Sequence, residues 1–193
     1  MTDRGVQITL SQTEMLTAGM QGLFRRLKAI EKERDNQGVP FNQLWESDII
    51  GSMGEMVVAK WKGDFWSPQV GELDNEIGDV DGLQIRTTGY RDGHLWLTKN
   101  DNPDHIFVLV RGDNSVKQSW WIVGWIYGGE GKKEEYWSSK LKGRYAYWIP
   151  PNLLRPLRDI PKTPMSHREY IDYQYERNEK HNNDESWDDL WDD

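Results

Sequence analysis

Apolar residues recur at steps of three and four from Met15 to Ile30, taking in Leu16, Met20, Leu23, Phe24 and Leu27. That period predicts an amphipathic helix over residues 12–34. Ser11-Gln12-Thr13-Glu14 has the pattern of a capping box at its start. Asn36-Gln37-Gly38-Val39-Pro40 ends it. Ser47-Asp48 can cap a second helix that runs to about Trp61, with Ile49, Ile50, Met53, Val57, Val58 and Trp61 as its apolar face. Gly51 and Gly54 in that helix permit a close neighbour at some cost in helix propensity.

After Gly63 the pattern becomes that of strands. Phe65–Trp66 and Glu76–Val80 are short candidates. Leu83–Thr88, His94–Thr98, Ile106–Arg111 and Trp120–Tyr127 are stronger, and Tyr145–Ile149 is the last. Ile106-Phe107-Val108-Leu109-Val110 is continuously apolar, as suits a strand buried on both faces. Asn100–Asp104 and Gly112–Ser115 are turn clusters. Gly128–Lys142 is expected as a polar, lysine-containing loop with room for a helical turn, and Asn152–Arg158 as a short helix.

Asp81-Gly82 is a strong signal for a two-residue hairpin turn, because both central residues of that turn need positive φ. The turn pairs Val80 with Leu83, sets Asp79 opposite Gln84 and sets Ile77 opposite Arg86. Alternation then puts Asp79, Gln84 and Arg86 on one face, and Val80, Leu83, Ile85 and Thr87 on the other. A carboxylate beside an amide oxygen, with a cation two residues on, resembles a phosphodiester-cleaving site. Asp81 is a competing acid with an adequate structural role, since Asp tolerates left-handed backbone and closes turns.

The bulk numbers narrow the class. The 193 residues fit one domain, or one domain with a tail. The chain has no cysteine, so a disulfide frame and a thiolate zinc site are both excluded. No apolar run is long enough to span a bilayer. Met1-Thr2-Asp3-Arg4 lacks the order of a signal peptide. The expectation is a soluble cytoplasmic protein in a bacterial or phage-infected cell.

The net charge of −8 is unevenly spread. Pro164–Asp193 holds ten acids against Arg168, Arg177 and Lys180, which is −7 and leaves about −1 for the rest. The body is therefore near neutral, and the acidic total does not exclude nucleic acid. Residues 1–160 are expected as one domain and residues 161–193 as an acidic tail of low order. In that tail Trp187, Leu190 and Trp191 share a helical face ringed by acids. It suits docking to a basic, apolar groove on a partner protein.

Glu55 is an acid in an otherwise apolar helix segment, Gly51–Trp61. A buried carboxylate needs a metal, a base or water; helix geometry alone also allows a solvent-facing glutamate. The four histidines lack zinc-ligand spacing, and neither a Walker A element nor a serine elbow is present.

The helix ending Gly51-x-x-Gly54-Glu55-x-x-Val58-Ala59-Lys60-Trp61 is followed by an Asp–turn–Gln-x-Arg hairpin, then Leu95-Trp96-Leu97, then Ile106–Val110. This order resembles the PD-(D/E)XK nuclease superfamily, and more narrowly its small phage and bacterial members with an E…D…(E/Q)x(K/R) order. The resemblance covers roughly residues 47–127. It implies a mixed α/β (α+β) fold, a central mixed sheet flanked by helices with a restriction-endonuclease-like αβββαβ core. It also implies metal-dependent hydrolysis of DNA phosphodiesters by an endonuclease of phage type.

By position, Glu55, Asp79 and Gln84 become ligands of Mg²⁺, or of Mn²⁺ as its substitute, and Arg86 takes the lysine position. Two departures follow. Gln84 is neutral where an acid is usual. Arg86 can clamp phosphate but is too basic to serve as a general base. They leave a second reading open: a catalytically impaired nuclease-fold protein that binds nucleic acid or acts as an assembly factor through its acidic tail. Thr88, Arg91 and Lys99 beside the site strand, and Lys132 and Lys133 in a cluster with Lys140, Lys142 and Arg144, are the DNA-contact candidates. A dimer is compatible with the sequence.

Overall fold

A computed structural model describes residues 5–33, 41–66, 78–112, 119–141 and 144–161, with single residues and pairs between 166 and 175. The chain divides into two compact units, Met1–Ile160 and Pro161–Asp193. Trp187, Leu190 and Trp191 lie outside the described residues, as do Ile77, Lys142 and the side chains of Lys140 and Arg144.

The first unit is mixed α/β. Its larger sheet is formed by β1 (Val6–Thr9), β2 (Leu83–Thr88), β4 (Ile106–Gly112) and β5 (Ser119–Tyr127), in the order β1-β5-β4-β2. β2 runs parallel to β4, with Gln84 beside Phe107 and Arg86 beside Leu109. β5 is antiparallel to both β4 and β1. A second sheet takes β3 (Leu95–Leu97), β7 (Arg144–Ile149) and β6 (Trp137–Leu141), all antiparallel. The connection from β2 to β4, residues 89–105, carries β3 and turns and no helix.

β4 is buried almost throughout, as its unbroken apolar run predicts. Phe107 and Leu109 meet Leu95, Leu97, Ile126 and Ile149 in the core between the sheets. Val110, on the opposite face, sits beside Thr87, and Thr87 packs against Gly54 of α2 (Phe41–Lys62). The larger sheet is thus covered by α2 on one side and by the second sheet on the other. No helix among the described residues is long and apolar enough to cross a membrane.

The first helix, α1 (Gln12–Glu31), starts at the expected capping box: Ser11 Oγ accepts from Glu14 N, and Glu14 accepts from Ser11 N. Its packing reverses the apolar pattern. Ala18, Gln21 and Gly22 are its buried residues, while Leu16, Met20, Leu23, Phe24, Leu27 and Ile30 are exposed. At Gly22 a side chain has no room, because a Cβ would lie 2.5 Å from Ile49 Cα.

Other expectations shift. α2 begins at Phe41 rather than after Ser47, so Asp48 lies inside the helix, where it accepts from Arg26. β1 has no clear pattern in the sequence. Phe65–Trp66 is not a strand; Phe65 is exposed and Trp66 buried. The segment Gly128–Lys142 holds the expected helical turn, α3 (Gly128–Gly131), and a 3-10 turn, but then forms the strand β6 in place of a loop. Its aromatic residues explain the difference: Trp137 packs on Tyr145 and Tyr147 of β7. Asn152–Arg158 forms two 3-10 turns around Pro156, which together with Pro150 and Pro151 prevents a longer helix.

Candidate functional site

The Asp81-Gly82 turn forms as its sequence requires. Asp81 has φ +47° and Gly82 φ +76°. Val80 and Leu83 exchange backbone hydrogen bonds of 3.2 and 2.9 Å. The ladder then stops. Gly78 has φ +75° and lies against Gly82, where a Cβ would come within 2.6 Å of the Gly82 carbonyl carbon. Asp79 N also donates to Leu83 O, at 2.8 Å. Asp79 is therefore not cross-strand to Gln84 in a continuing ladder. Its Oδ2 instead accepts from Ile85 N at 2.7 Å, so the carboxylate satisfies an N–H of the edge strand β2.

Alternation along β2 sends Thr87 toward α2 and Arg86 to the other face, where Gln84 lies with it. There Arg86 is pinned. Its Nη2 donates to Asp101 Oδ1 at 2.9 Å, and its Cζ lies 4.9 Å from the ring centres of both Trp96 and Phe107. Asp101 Oδ2 also accepts from Thr98 N at 2.8 Å. Lys132 Nζ donates into the same turn, to Lys99 O at 2.9 Å and to Asp101 O. Burial lowers the Lys132 pKa.

Glu55 is buried and belongs to the α2 side. Both its oxygens accept from Arg25 of α1: Arg25 Nη2 to Oε2 at 2.7 Å and Arg25 Nη1 to Oε1. Bidentate pairing of this kind gives strong, oriented hydrogen bonds. Burial holds the Glu55 carboxyl above the usual carboxylate range against the pull of Arg25, and the Asp79 charge adds to the rise. Burial opposes the Arg25 charge, yet Glu55 first, then Asp79 and Asp48, hold its pKa above the usual value.

Asp79 sits between the two groups. Burial raises its pKa; the Ile85 N–H, Arg86 and Arg25 work against the rise, and Asp101 adds to it. Asp79 thus feels the arginine of each side of the sheet edge. The four positions Glu55, Asp79, Gln84 and Arg86 do not form one ligand set on one face. They form two charged groups, Arg25–Glu55 and Arg86–Asp101, joined electrostatically through Asp79. Arg25 and Asp101 were not visible as site residues in the sequence. An arginine in a helix and an aspartate in a turn cluster both read as solvated positions.

Among the remaining candidates, Asp81 pairs with Lys62 at the end of α2 and closes the turn. Thr88 Oγ1 accepts from Tyr90 N at 3.3 Å. Arg91, Lys99 and Lys133 are exposed, and Lys99 Nζ lies 4.6 Å from the Trp137 ring centre.

Among the described residues, no three Asp, Glu or His side chains are placed to hold a metal ion together. Mg²⁺ takes one or two carboxylates and keeps several waters, and of the candidate positions Asp79 is the carboxylate open to it. Asp79 is partly exposed, and no hydrogen bond among the described residues takes its Oδ1. Gln84, five residues later, is buried on the Arg86 face of β2. Glu55 can join only by exchanging Arg25 for the cation.

No family model, curated protein or solved structure matches this chain.

Proposed function

We propose that the chain is a metal-dependent nuclease acting on DNA phosphodiesters, an endonuclease of phage type on a restriction-endonuclease-like core. The observation that carries the reading is Asp79: a hairpin aspartate at a sheet edge, electrostatically linked to a helix glutamate and to the arginine of a Gln-x-Arg strand. Asp79 would hold Mg²⁺ or Mn²⁺ together with several waters, joined from the α2 side by Glu55 once Arg25 gives it up, or from the other face by Gln84. When bound, such an ion supplies an activated water and offsets charge on the scissile phosphate.

The protein's own groups then divide the work. Arg86, fixed by Asp101 and two aromatic rings, is a rigid positive charge beside Asp79. Arg25, once released from Glu55, offers a bidentate guanidinium to a phosphate. Arg91, Lys99 and Lys133 provide exposed charge along the DNA backbone, with Thr88 beside them, and Lys132 braces the turn that carries Lys99 and Asp101. A cytoplasmic location and a protein partner for Trp187, Leu190 and Trp191 belong to the same proposal.

The second reading, nucleic-acid binding without catalysis, draws support from the Arg25 clamp on Glu55 and from Gln84 standing where an acid is usual. One experiment separates them. The full chain is incubated with supercoiled, linear and branched DNA in Mg²⁺, Mn²⁺ or EDTA, beside Asp79→Ala. Metal-dependent cleavage that Asp79→Ala abolishes supports the nuclease. DNA binding that survives EDTA, without cleavage above the Asp79→Ala background, replaces it with the binding factor.

A further inference from the structure

α1 carries Leu16, Met20, Leu23, Leu27 and Ile30 at alternating steps of four and three, with Phe24 beside them. Each of these six side chains is 41–65% exposed. The alternation is that of an amphipathic helix face, and it also suits the seam of two packed helices. Together they present on the order of 600 Å² of apolar surface, the upper end of what a soluble monomer leaves uncovered. We infer that this stripe is a homodimer interface, in which α1 of one copy packs antiparallel against α1 of a second copy.

Three observations choose a second copy over other occupants. The stripe is close to self-complementary, as a two-fold interface requires. An axis between Leu23 and Phe24 sets Met20 of one copy against Leu27 of the other, and Leu16 near Ile30. The charges around the stripe are paired within one copy: Arg25 and Arg26 are turned to Glu55 and Asp48, and the exposed Lys28 and Glu31 pair with each other at the end of the helix. A membrane-surface helix presents exposed basic residues beside its apolar face, whereas here the arginine face is packed on α2. Finally, the exposed area approaches the ~800 Å² per partner of a standard interface. Antiparallel packing also sets the two helix dipoles favourably. The inference shares only the Arg25–Glu55 pair with the nuclease reading and uses none of Asp79, Gln84 or Arg86, so a dimer and DNA cleavage stand or fall separately.

The test uses the full chain. Sedimentation velocity across roughly 1–100 μM should show a dimer. The double variant Leu23→Glu/Leu27→Glu should raise its dissociation constant more than about 100-fold, because the charges lack partners at the seam. Both residues are exposed within one copy, so an unchanged circular dichroism spectrum and melting of the diluted protein show that the fold survives. Cysteine trapping gives an independent readout, because the chain has no cysteine of its own. Under mild oxidation Leu23→Cys should cross-link to itself. Leu16→Cys alone should not, since the two copies of Leu16 lie about 20 Å apart along the seam. A mixture of Leu16→Cys and Ile30→Cys chains should. A wild-type monomer throughout the concentration range, a dimer unaffected by the glutamates, or Leu23→Cys cross-linking no faster than Tyr90→Cys would overturn the inference.

Discussion

Gly22 is the position at which one added methyl group should do most damage. In Gly22→Ala the new Cβ would lie 2.5 Å from Ile49 Cα, 2.7 Å from Ile49 N and 2.7 Å from Asp48 O. All three are backbone atoms of α2, so no rotamer change relieves the overlap. Restoring ordinary contact moves the helices apart by about 1 Å, and overpacking of this kind costs about 1–3 kcal/mol. Alanine's better helix propensity returns at most about 1 kcal/mol. The separation also loosens Arg25 from Glu55, and a buried acid stripped of its partner costs about 3–5 kcal/mol at the limit. Partial loosening puts the net destabilisation at about 2–4 kcal/mol, a fall in melting temperature of about 5–15 °C for a chain of this size. Gly19, one turn earlier, meets nothing within 4 Å of a built Cβ. Gly19→Ala should therefore gain about 0.5–1 kcal/mol from propensity alone. Scanning calorimetry and guanidinium unfolding on both variants check the pair. A Gly22→Ala protein as stable as wild type, or a Gly19→Ala protein destabilised to the same extent, refutes the close-approach argument.

Burial raises the Asp79 pKa, so the native state keeps a proton that the unfolded chain releases. Its contribution to stability therefore falls as pH rises from the ordinary carboxylate value, about 4, through the raised native value. Asp79→Asn keeps an acceptor for Ile85 N–H and removes that proton, so its stability relative to wild type should rise across this window; a difference flat with pH in urea titrations would contradict it. Arg86→Lys should lose about 1–2 kcal/mol, because an ammonium cannot lie flat between Trp96 and Phe107 while reaching Asp101. An unchanged denaturation midpoint would show that the two-ring contact contributes nothing.

The strands were legible where one physical demand dominated. Ile106–Val110 is apolar without interruption because both faces of β4 are covered, and its shortness, β-branched residues and flanking turn clusters favour a strand over a helix. Asp81-Gly82 was legible because the two-residue turn demands positive φ twice. β6 was hidden because Trp137, Tyr145 and Tyr147 hold the strand against β7 through contacts between residues some ten positions apart, while Lys132, Lys133, Glu134 and Glu135 make the segment read as solvated. α2 extended beyond its expected start because Ser47 and Asp48 resemble a cap, yet Asp48 is occupied by Arg26. The bend at Gly78 was not legible either. Its consequence, a carboxylate bonded to a strand N–H, decides where Asp79 sits.

The same competition explains why α1 faces the way it does. Glu55 and Asp48 on α2 each require a cation, and an unpaired buried acid costs several kcal/mol. Arg25 and Arg26 are the residues of α1 that meet them, so the arginine side of the helix turns inward and Gly22 lets it come close. The opposite side, with its six large apolar residues, is left outward. Covering a side chain that is half exposed recovers only about 1 kcal/mol each, so the two demands are of similar size and one helix cannot satisfy both within one chain. The ion pairs depend on residues that α2 alone supplies, at fixed positions. Apolar burial is undirected, and a second copy of the same stripe serves it equally well. A helix whose polar face is internal and whose seam is external therefore meets both demands in the dimer, and only the first in the monomer.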